Sequence, residues 1–393
     1  MTNVLIYRND LLPLSETFVL AQARAMRRYQ PLFIGIRATE PSLLGPEEAL
    51  QAECYNLLPR PLQGTAYACC GAAPLLHAPA FSKQLHALDA ALIHAHFATD
   101  AVAALPLARA LRVPLIVTLH GYDVTADRRG VNPLRNWLHA AQRRALWKQA
   151  SLFLCVSAFI RERALASGFP EDKLVVHRVG IDVTSFRPRP TPKLSDDVIF
   201  VGRLTEKKGC AYLLCAMQKV RRTLPEAHLL IVGDGPLRQP LEELAARLGG
   251  GCTFLGRQSH EQVCRLIAGA RVCALPSVTA ANGDSEGLPM ILPEAQALGI
   301  PVVGNRHAGI AEGIVDGHAG LLSEERDVSG LARNILRLFQ DAALHADLSR
   351  RGIELVRNDF NLRQQTGQLE SIYDAVLASR QPSTCFSARA TAE

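Results

Sequence analysis

The feature that most restricts what this chain can fold into is a repeated alternation of short apolar runs with longer amphipathic stretches. NVLIY (3–7) precedes a helical pattern over 17–29, where Phe18, Ala21, Ala25 and Met26 share one side and Arg24, Arg27 and Arg28 lie elsewhere. PLFIGI (31–36), ALIHAHF (91–97), VPLIVTLHG (113–121), LFLCVS (152–157) and KLVVHRVGID (173–182) continue the runs. Helical stretches near 99–111 and 133–149, and one more before 173, separate them. Residues 40–80, rich in Pro, Ala and Leu, read as neither. A proline-rich stretch, FRPRPTPKLSDD (186–197), then interrupts as a linker. The alternation restarts with VIFVGR (198–203), HLLIVGDG (228–235), CTFLG (252–256), VCALPS (272–277) and IPVVGN (300–305). Helices are expected over 209–222, 237–248, 329–340, 345–356 and 362–379. Strand–helix alternation is the signature of a parallel sheet wound on both faces. The expectation is an α/β chain of two Rossmann-like doubly wound domains, 1–185 and 198–361. The last helix, 362–379, is expected to pack back on the first domain, and the tail 380–393 to be disordered.

Two such domains in tandem leave one obvious place for a ligand, the cleft facing the carboxyl ends of both sheets. At 393 residues and 48% hydrophobic content the chain can bury sizeable cores unaided. Its ten cysteines are scattered, with Cys69 and Cys70 the sole neighbours and no C-x-x-C pair. That argues against a zinc framework and a secreted disulfide scaffold. The start, MTNVLIYRND, lacks a basic segment followed by a longer apolar stretch. With no run of about eighteen apolar residues to span a bilayer, a cytoplasmic location is expected. The net charge of +6 sits wholly in residues 1–180, which carry 19 Lys+Arg against 13 Asp+Glu. A basic half suggests an anionic partner, whether membrane surface, nucleic acid or phosphorylated substrate.

Three clusters carry chemistry. In VGRLTEKKG (201–209), Arg203 and Lys208 flank a strand-to-helix turn. Two cations beside a helix N-terminus suit a diphosphate, although a solvated basic loop has the same sequence. IVGDGPLR (231–238) fails as a dinucleotide fingerprint because Arg238 stands where the third glycine belongs, and it reads as a tight turn. In PSVTAANGDSEGLPMILPEAQALGIPVV (276–303), Glu286 opens a Gly287-Leu288-Pro289-Met290 loop, and Glu294 follows on a helix over 291–298. A carboxylate accepts two hydrogen bonds well, as a ribose diol requires.

The GRLTEKKG turn and the E-x7-E spacing, on two doubly wound domains, resemble the retaining glycosyltransferases of family four, which have the GT-B fold. LPLSETF (12–18), HAHF (94–97) and TLHGYD (118–123) add matches to the branch that assembles bacterial exopolysaccharides such as colanic acid and amylovoran. The resemblance implies that Arg203 and Lys208 bind the donor diphosphate and that Glu294 holds the ribose. It implies that Glu286 binds hydroxyls of the donor sugar, with amides from Gly287, Leu288, Pro289 and Met290 on sugar and phosphate. His120 is implied at the reaction centre across the cleft, and Gly256 and Arg257 near the nucleobase. Ser15, Glu16 and Thr17 depart from the glycine-rich loop of many relatives, which leaves open whether they meet phosphate or acceptor.

The donor implied is a UDP- or GDP-sugar. The acceptor implied is a polyprenyl-diphosphate-linked oligosaccharide. No metal, no cofactor and no nucleic acid partner is expected, since D-x-D is absent and cations can neutralise the leaving diphosphate. NPLRNWLHAAQRRALWKQA (132–150) reads either as a basic amphipathic helix resting on the inner membrane surface or as a helix docked on its own sheet with a wet basic face. Two other functions share these features: a GT-B epimerase acting on UDP-N-acetylhexosamine, and a non-catalytic subunit that binds nucleotide sugars.

Overall fold

The computed structural model describes residues 1–11, 16–35, 37–38, 49–51, 83, 85–126, 142–188 and 195–379. Ser15, linker residues 189–194, the helical reading over 133–141, the tail 380–393 and most of 40–80 lie outside them. The described chain builds two open parallel sheets. The first contains β1 (Thr2–Tyr7), β3 (Tyr29–Gly35), β5 (Ala49–Gln51), β6 (Ala90–His96), β7 (Leu115–Leu119), β8 (Leu152–Cys155) and β9 (Leu174–Val176). Their spatial order is β5-β3-β1-β6-β7-β8-β9, and the short β2 (Asp10–Leu11) and β4 (Arg37–Ala38) pair separately. The second contains β10 (Asp197–Val201), β11 (His228–Val232), β12 (Cys252–Gly256), β13 (Val272–Leu275), β14 (Val302–Asn305) and β15 (Leu321–Ser323). Its order is β12-β11-β10-β13-β14-β15. In each sheet the direction of strand addition reverses once, between β1 and β6 and between β10 and β13.

The apolar runs become strands because both of their faces are covered. In β1, Leu5 and Tyr7 face one cluster with Ile93, Ala95, Leu115, Val117 and Phe153, while Val4 and Ile6 face another with Phe33, Leu92, Ile116 and Leu154. The helix Leu362–Ala378 completes this second cluster through Leu369 and Tyr373, so this helix lies against the first sheet. Glu370 Oε1 accepts the amides of Arg27 and Arg28, each at 2.7 Å, and the Tyr29 hydroxyl donates to Asp374 Oδ1 at 2.6 Å. Leu288, Ala297, Val356 and Phe360 enter the cluster around Leu5, so residues beyond the second sheet's first strand help to close the first sheet's core.

Several expectations need adjustment. Strands read as running to 121, 157 or 182 stop at Leu119, Cys155 and Val176, because polar turn residues follow at the carboxyl edge. The first helix ends at Arg24 rather than 29. The helix His260–Gly269, opened by a Ser259–Gln262 capping box, and the three-residue β15 were not anticipated. Residues 142–149 form a helix that docks inward. Leu146 is fully buried, Trp147 packs its ring 5.2 Å from Phe169, and Lys173 Nζ donates to the carbonyls of Trp147, Lys148 and Ala150 at 3.0, 3.1 and 2.8 Å. Trp147 is therefore a packing residue, and only Arg144 and Lys148 of this stretch face solvent fully.

Candidate active site

At a reversal of strand order the flanking connections diverge and leave a crevice at the carboxyl ends of the strands. In the first sheet Arg8 follows β1, Phe97 follows β6, and His120 and Gly121 follow β7. Gly121 has φ 144, a conformation that glycine alone adopts readily. Asp123 folds back on this turn. Its Oδ1 accepts the amides of His120 and Gly121 at 3.2 and 2.9 Å, and Oδ2 accepts that of Ala98 at 3.0 Å, at the start of the helix Ala98–Leu111. Burial pushes the Asp123 carboxyl up against those bonds. Its role is to shape the turn that presents His120. The His120 ring lies 4.4 Å from Phe97 and 5.2 Å from Phe18, with Nε2 3.0 Å from His96 Nδ1. Burial, then the charge of Arg8, holds His120 well below its ordinary range, so the ring is neutral.

In the second sheet the GRLTEKKG turn follows β10 and the loop 276–290 follows β13. A Cβ placed on Gly209, φ 67, would fall 1.9 Å from the Pro276 carbonyl oxygen, so turn and loop meet backbone to backbone. That approach brings Lys208 Nζ within 2.9 Å of Glu286 Oε1 and Lys207 Nζ within 3.0 Å of Asp284 Oδ1. Glu286 is 5% exposed. Burial alone would push its carboxyl up, but Lys208 and then Lys207 outweigh it and hold the group below the usual carboxylate range. Arg203 is exposed, and its guanidinium has no partner among the described residues. Glu294, on the helix Ile291–Ala297, is hemmed in by packing that pushes its carboxyl up to about 8. The Gly287, Leu288 and Met290 amides are unbonded among the described residues, whereas Pro289 has no N–H, so the expected set of four amides reduces to three. Gly256, φ 65, ends β12, and its carbonyl accepts the Gly233 amide at 2.8 Å. Arg257 beside it is exposed.

The two sets of residues touch. A Cβ on Gly287 would fall 1.9 Å from the His120 carbonyl oxygen, and one on Gly121 would fall 3.2 Å from the Gly287 nitrogen. Ser157 Oγ donates to the Gly287 carbonyl at 3.0 Å, and Thr125 Oγ1 accepts the Ser285 amide at 3.2 Å. The loop bearing Glu286 is thus pressed against the turn bearing His120.

Sequence reasoning missed three contributors. Arg8 donates from Nε and Nη2 to Glu16 at 2.8 and 2.6 Å, pairs with Asp100 through Nη1, and lies 4.3 Å over the Phe97 ring. Burial works against its charge, but the two carboxylates outweigh it and keep the guanidinium ionised. Glu16 is therefore engaged by Arg8, and Thr17 begins the helix Thr17–Arg24. A charged residue directly after a fully apolar run was the available signal for Arg8. His307 Nε2 accepts the Glu286 amide at 3.4 Å, so its proton sits on Nδ1, which donates to Glu325 at 2.5 Å. Glu312 accepts the amides of Ala158 and Phe159, each at 2.8 Å, at the start of the helix Ala158–Ala166. No local pattern marks either residue.

Comparison with known proteins gives this geometry a family. Residues 16–185 match the model described as Glycosyltransferase Family 4, and residues 195–341 match that described as Glycosyl transferases group 1. Over 289 residues the chain is 32% identical to a protein of Escherichia coli strain K12 named for colanic acid biosynthesis, the glycosyltransferase WcaL, covering 72% of this chain and 70% of that one. The chain belongs to glycosyltransferase family 4. This glycosyltransferase is also 31% identical over 299 residues to the amylovoran biosynthesis glycosyltransferase AmsK of Erwinia amylovora, across 75% of this chain and 72% of that one. Its fold is the GT-B arrangement. Anabaena HepE, crystallised with UDP, superposes with a TM-score of 0.76 at 19% identity, over 95% of this chain and 100% of that one.

Proposed function

We propose that the protein transfers a hexose from a UDP- or GDP-sugar to a lipid-linked oligosaccharide, of polyprenyl-diphosphate type, with retained anomeric configuration and without a metal, during exopolysaccharide assembly. The observation that carries the reading is the meeting of the Lys208–Glu286 pair with the His120–Gly121 turn at the carboxyl ends of both sheets. The names of the relatives in colanic acid and amylovoran biosynthesis support the pathway class, and the UDP bound by HepE supports a nucleotide-sugar donor.

In this reading Arg203 and Lys208 bind the diphosphate, with the Gly287, Leu288 and Met290 amides on phosphate and sugar. Glu294 holds the ribose, Glu286 the donor sugar hydroxyls, and His120 the sugar from the opposite half. Gly256 and Arg257 border the base. The bond from the anomeric carbon to the diphosphate oxygen breaks as the acceptor oxygen attacks from the same face. The acceptor proton passes to the departing phosphate oxygen, and the cations and amides stabilise the charge released. Asp284 and Glu286 are each paired with a lysine, so neither is a free metal ligand. The acceptor would approach from the basic first half, beside Glu16 and Thr17, at the inner face of the membrane. Among the described residues no helix is long and apolar enough to cross a membrane, which fits a peripheral association.

The test is incubation with a panel of UDP- and GDP-sugars, first alone and then with polyprenyl-diphosphate oligosaccharides, with and without EDTA. Slow release of UDP or GDP without acceptor, accelerated by acceptor and insensitive to EDTA, is expected, with NMR of the product showing the donor's anomeric configuration. An isomerised sugar would indicate an epimerase, and tight binding without turnover a non-catalytic subunit. Either result ends the proposal.

A further inference from the structure

The two histidines of HAHF and the histidine of TLHGYD form a column that the proposed chemistry does not explain. His94 and His96 are 1% exposed at the carboxyl end of β6, and His120 follows the neighbouring β7. The His94 and His96 rings stack with centroids 4.5 Å apart and planes 29° apart. Those of His96 and His120 lie 5.2 Å and 26° apart. The column is anchored at its base, where His94 Nδ1 lies 2.6 Å from the Tyr373 hydroxyl and Nε2 lies 2.7 Å from Thr118 Oγ1. At its top His96 Nδ1 meets His120 Nε2 at 3.0 Å. Phe18 and Phe97 flank the His120 ring, yet they offer no directional bond.

We propose that His96 is the positioning residue for His120: its Nδ1 fixes the orientation and a single tautomer of the His120 ring. The claim rests on the reading of His120 as the histidine that meets the donor sugar. The argument is one of proton accounting. Burial holds all three rings below the ordinary imidazole range, with His94 lowered to about 3, so each is neutral near neutral pH. A neutral imidazole has one N–H and one lone-pair nitrogen. The 3.0 Å contact therefore requires one ring to donate and the other to accept, which ties the tautomer of each ring to that of the other. The bond occupies Nε2 of His120 and leaves Nδ1, unpartnered among the described residues, to face a ligand with one defined role. Arg8 is the charged group that bears on both rings, and its effect is to oppose protonation of either.

Three substitutions at His96 test this. His96→Leu keeps the bulk and removes the nitrogen, His96→Asn sets an amide near the Nδ1 position, and His96→Gln carries the amide past it. The readouts are imidazole nitrogen NMR, with the His120 signal identified by its loss in His120→Gln, the thermal shift produced by UDP and by GDP, and kcat and donor KM. The wild type is expected to show one His120 tautomer. His96→Leu and His96→Gln are expected to show a mixture and to lose about tenfold or more in kcat. Donor KM and the nucleotide-induced shift should stay within about twofold of wild type, because His96 does not reach the diphosphate site. His96→Asn should recover most of the lost kcat. If His96→Leu does not fold, His96→Gln serves in its place. A mixed tautomer in the wild type, a tautomer unaltered by these variants, or an unaltered kcat would overturn the proposal. A protein that turns over no nucleotide sugar would end the functional reading instead, and the NMR comparison would still decide the hold of His96 on His120.

Discussion

Glu294 and Glu286 sit eight positions apart and experience opposite environments. Glu286 has Lys208 and remains ionised, while Glu294 has no cation partner among the described residues, and burial lifts its carboxyl to about 8. A carboxyl whose folded pKa exceeds its unfolded value makes the folded state hold the extra proton. Stability is therefore unaffected below the unfolded value of about 4.5 and falls as pH rises from there towards about 8. Glu294→Gln is expected to melt with the wild type at pH 4 and above it at pH 8, in thermal scans across that range. The same variant should weaken nucleotide binding about tenfold if the carboxylate accepts the ribose hydroxyls. Calorimetry in buffers of different ionisation heat should show proton release on binding by the wild type and none by Glu294→Gln. Both glutamates, His120, Arg203 and Lys208 were legible as site candidates because each lies in a recognisable local string, Glu294 on the helix Ile291–Ala297 and the others in turns at the carboxyl ends of strands. His307 and Glu312 were not, since each owes its role to a partner remote in sequence, Glu286 and Ala158 respectively, while Arg8 showed only as a charge after an apolar run, with no sign of its partner Asp100.

At the scale of elements, the parallel strands were readable because burial of both faces produces unbroken apolar runs. The helix His260–Gly269 was legible in principle, since Val263, Leu266 and Ile267 fall at helical spacing behind a Ser259–Gln262 capping box. β15 is three residues long, too short for a periodicity to emerge. The helix Ala158–Ala166 shows how an element end can join two sheets. The Ser157 hydroxyl caps it locally, and Glu312 supplies a carboxylate from beyond β14, with Arg178 at 3.7 Å. A negative charge there is favoured by the helix dipole as well as by the two amides. Glu312→Ala is expected to lower stability by about 1–2 kcal/mol, the usual cost of losing a cap. It should also raise hydrogen exchange at Ala158 and Phe159 and increase the radius of gyration in solution scattering. Unchanged exchange and scattering would show that this contact does not hold the halves together.

Across the whole molecule, the last described helix returns to the sheet that holds the first strand. The helix Leu362–Ala378 seals one face of the first sheet, with Leu369 and Tyr373 fully buried against Val4 and Ile6. Leu369→Ala is expected to remove about 2–5 kcal/mol, read as a fall in the urea midpoint of unfolding. An unchanged midpoint would mean that the terminal helix is dispensable to the first sheet. The parallel, doubly wound character of both sheets followed from alternation alone. The closeness of their facing loops did not, because it depends on three glycines, Gly121, Gly287 and Gly309, that look ordinary in sequence. A Cβ on Gly309 would fall 1.6 Å from the Gly287 carbonyl oxygen, just as one on Gly287 would strike His120. The closest approach in the seam between the halves is thus main chain on main chain, with the short side chains of Ser157 and Thr125 bonding beside it. Retargeting the protein to a new sugar would have to work around that seam, through residues on its margins such as Glu286, Met290 and Tyr122.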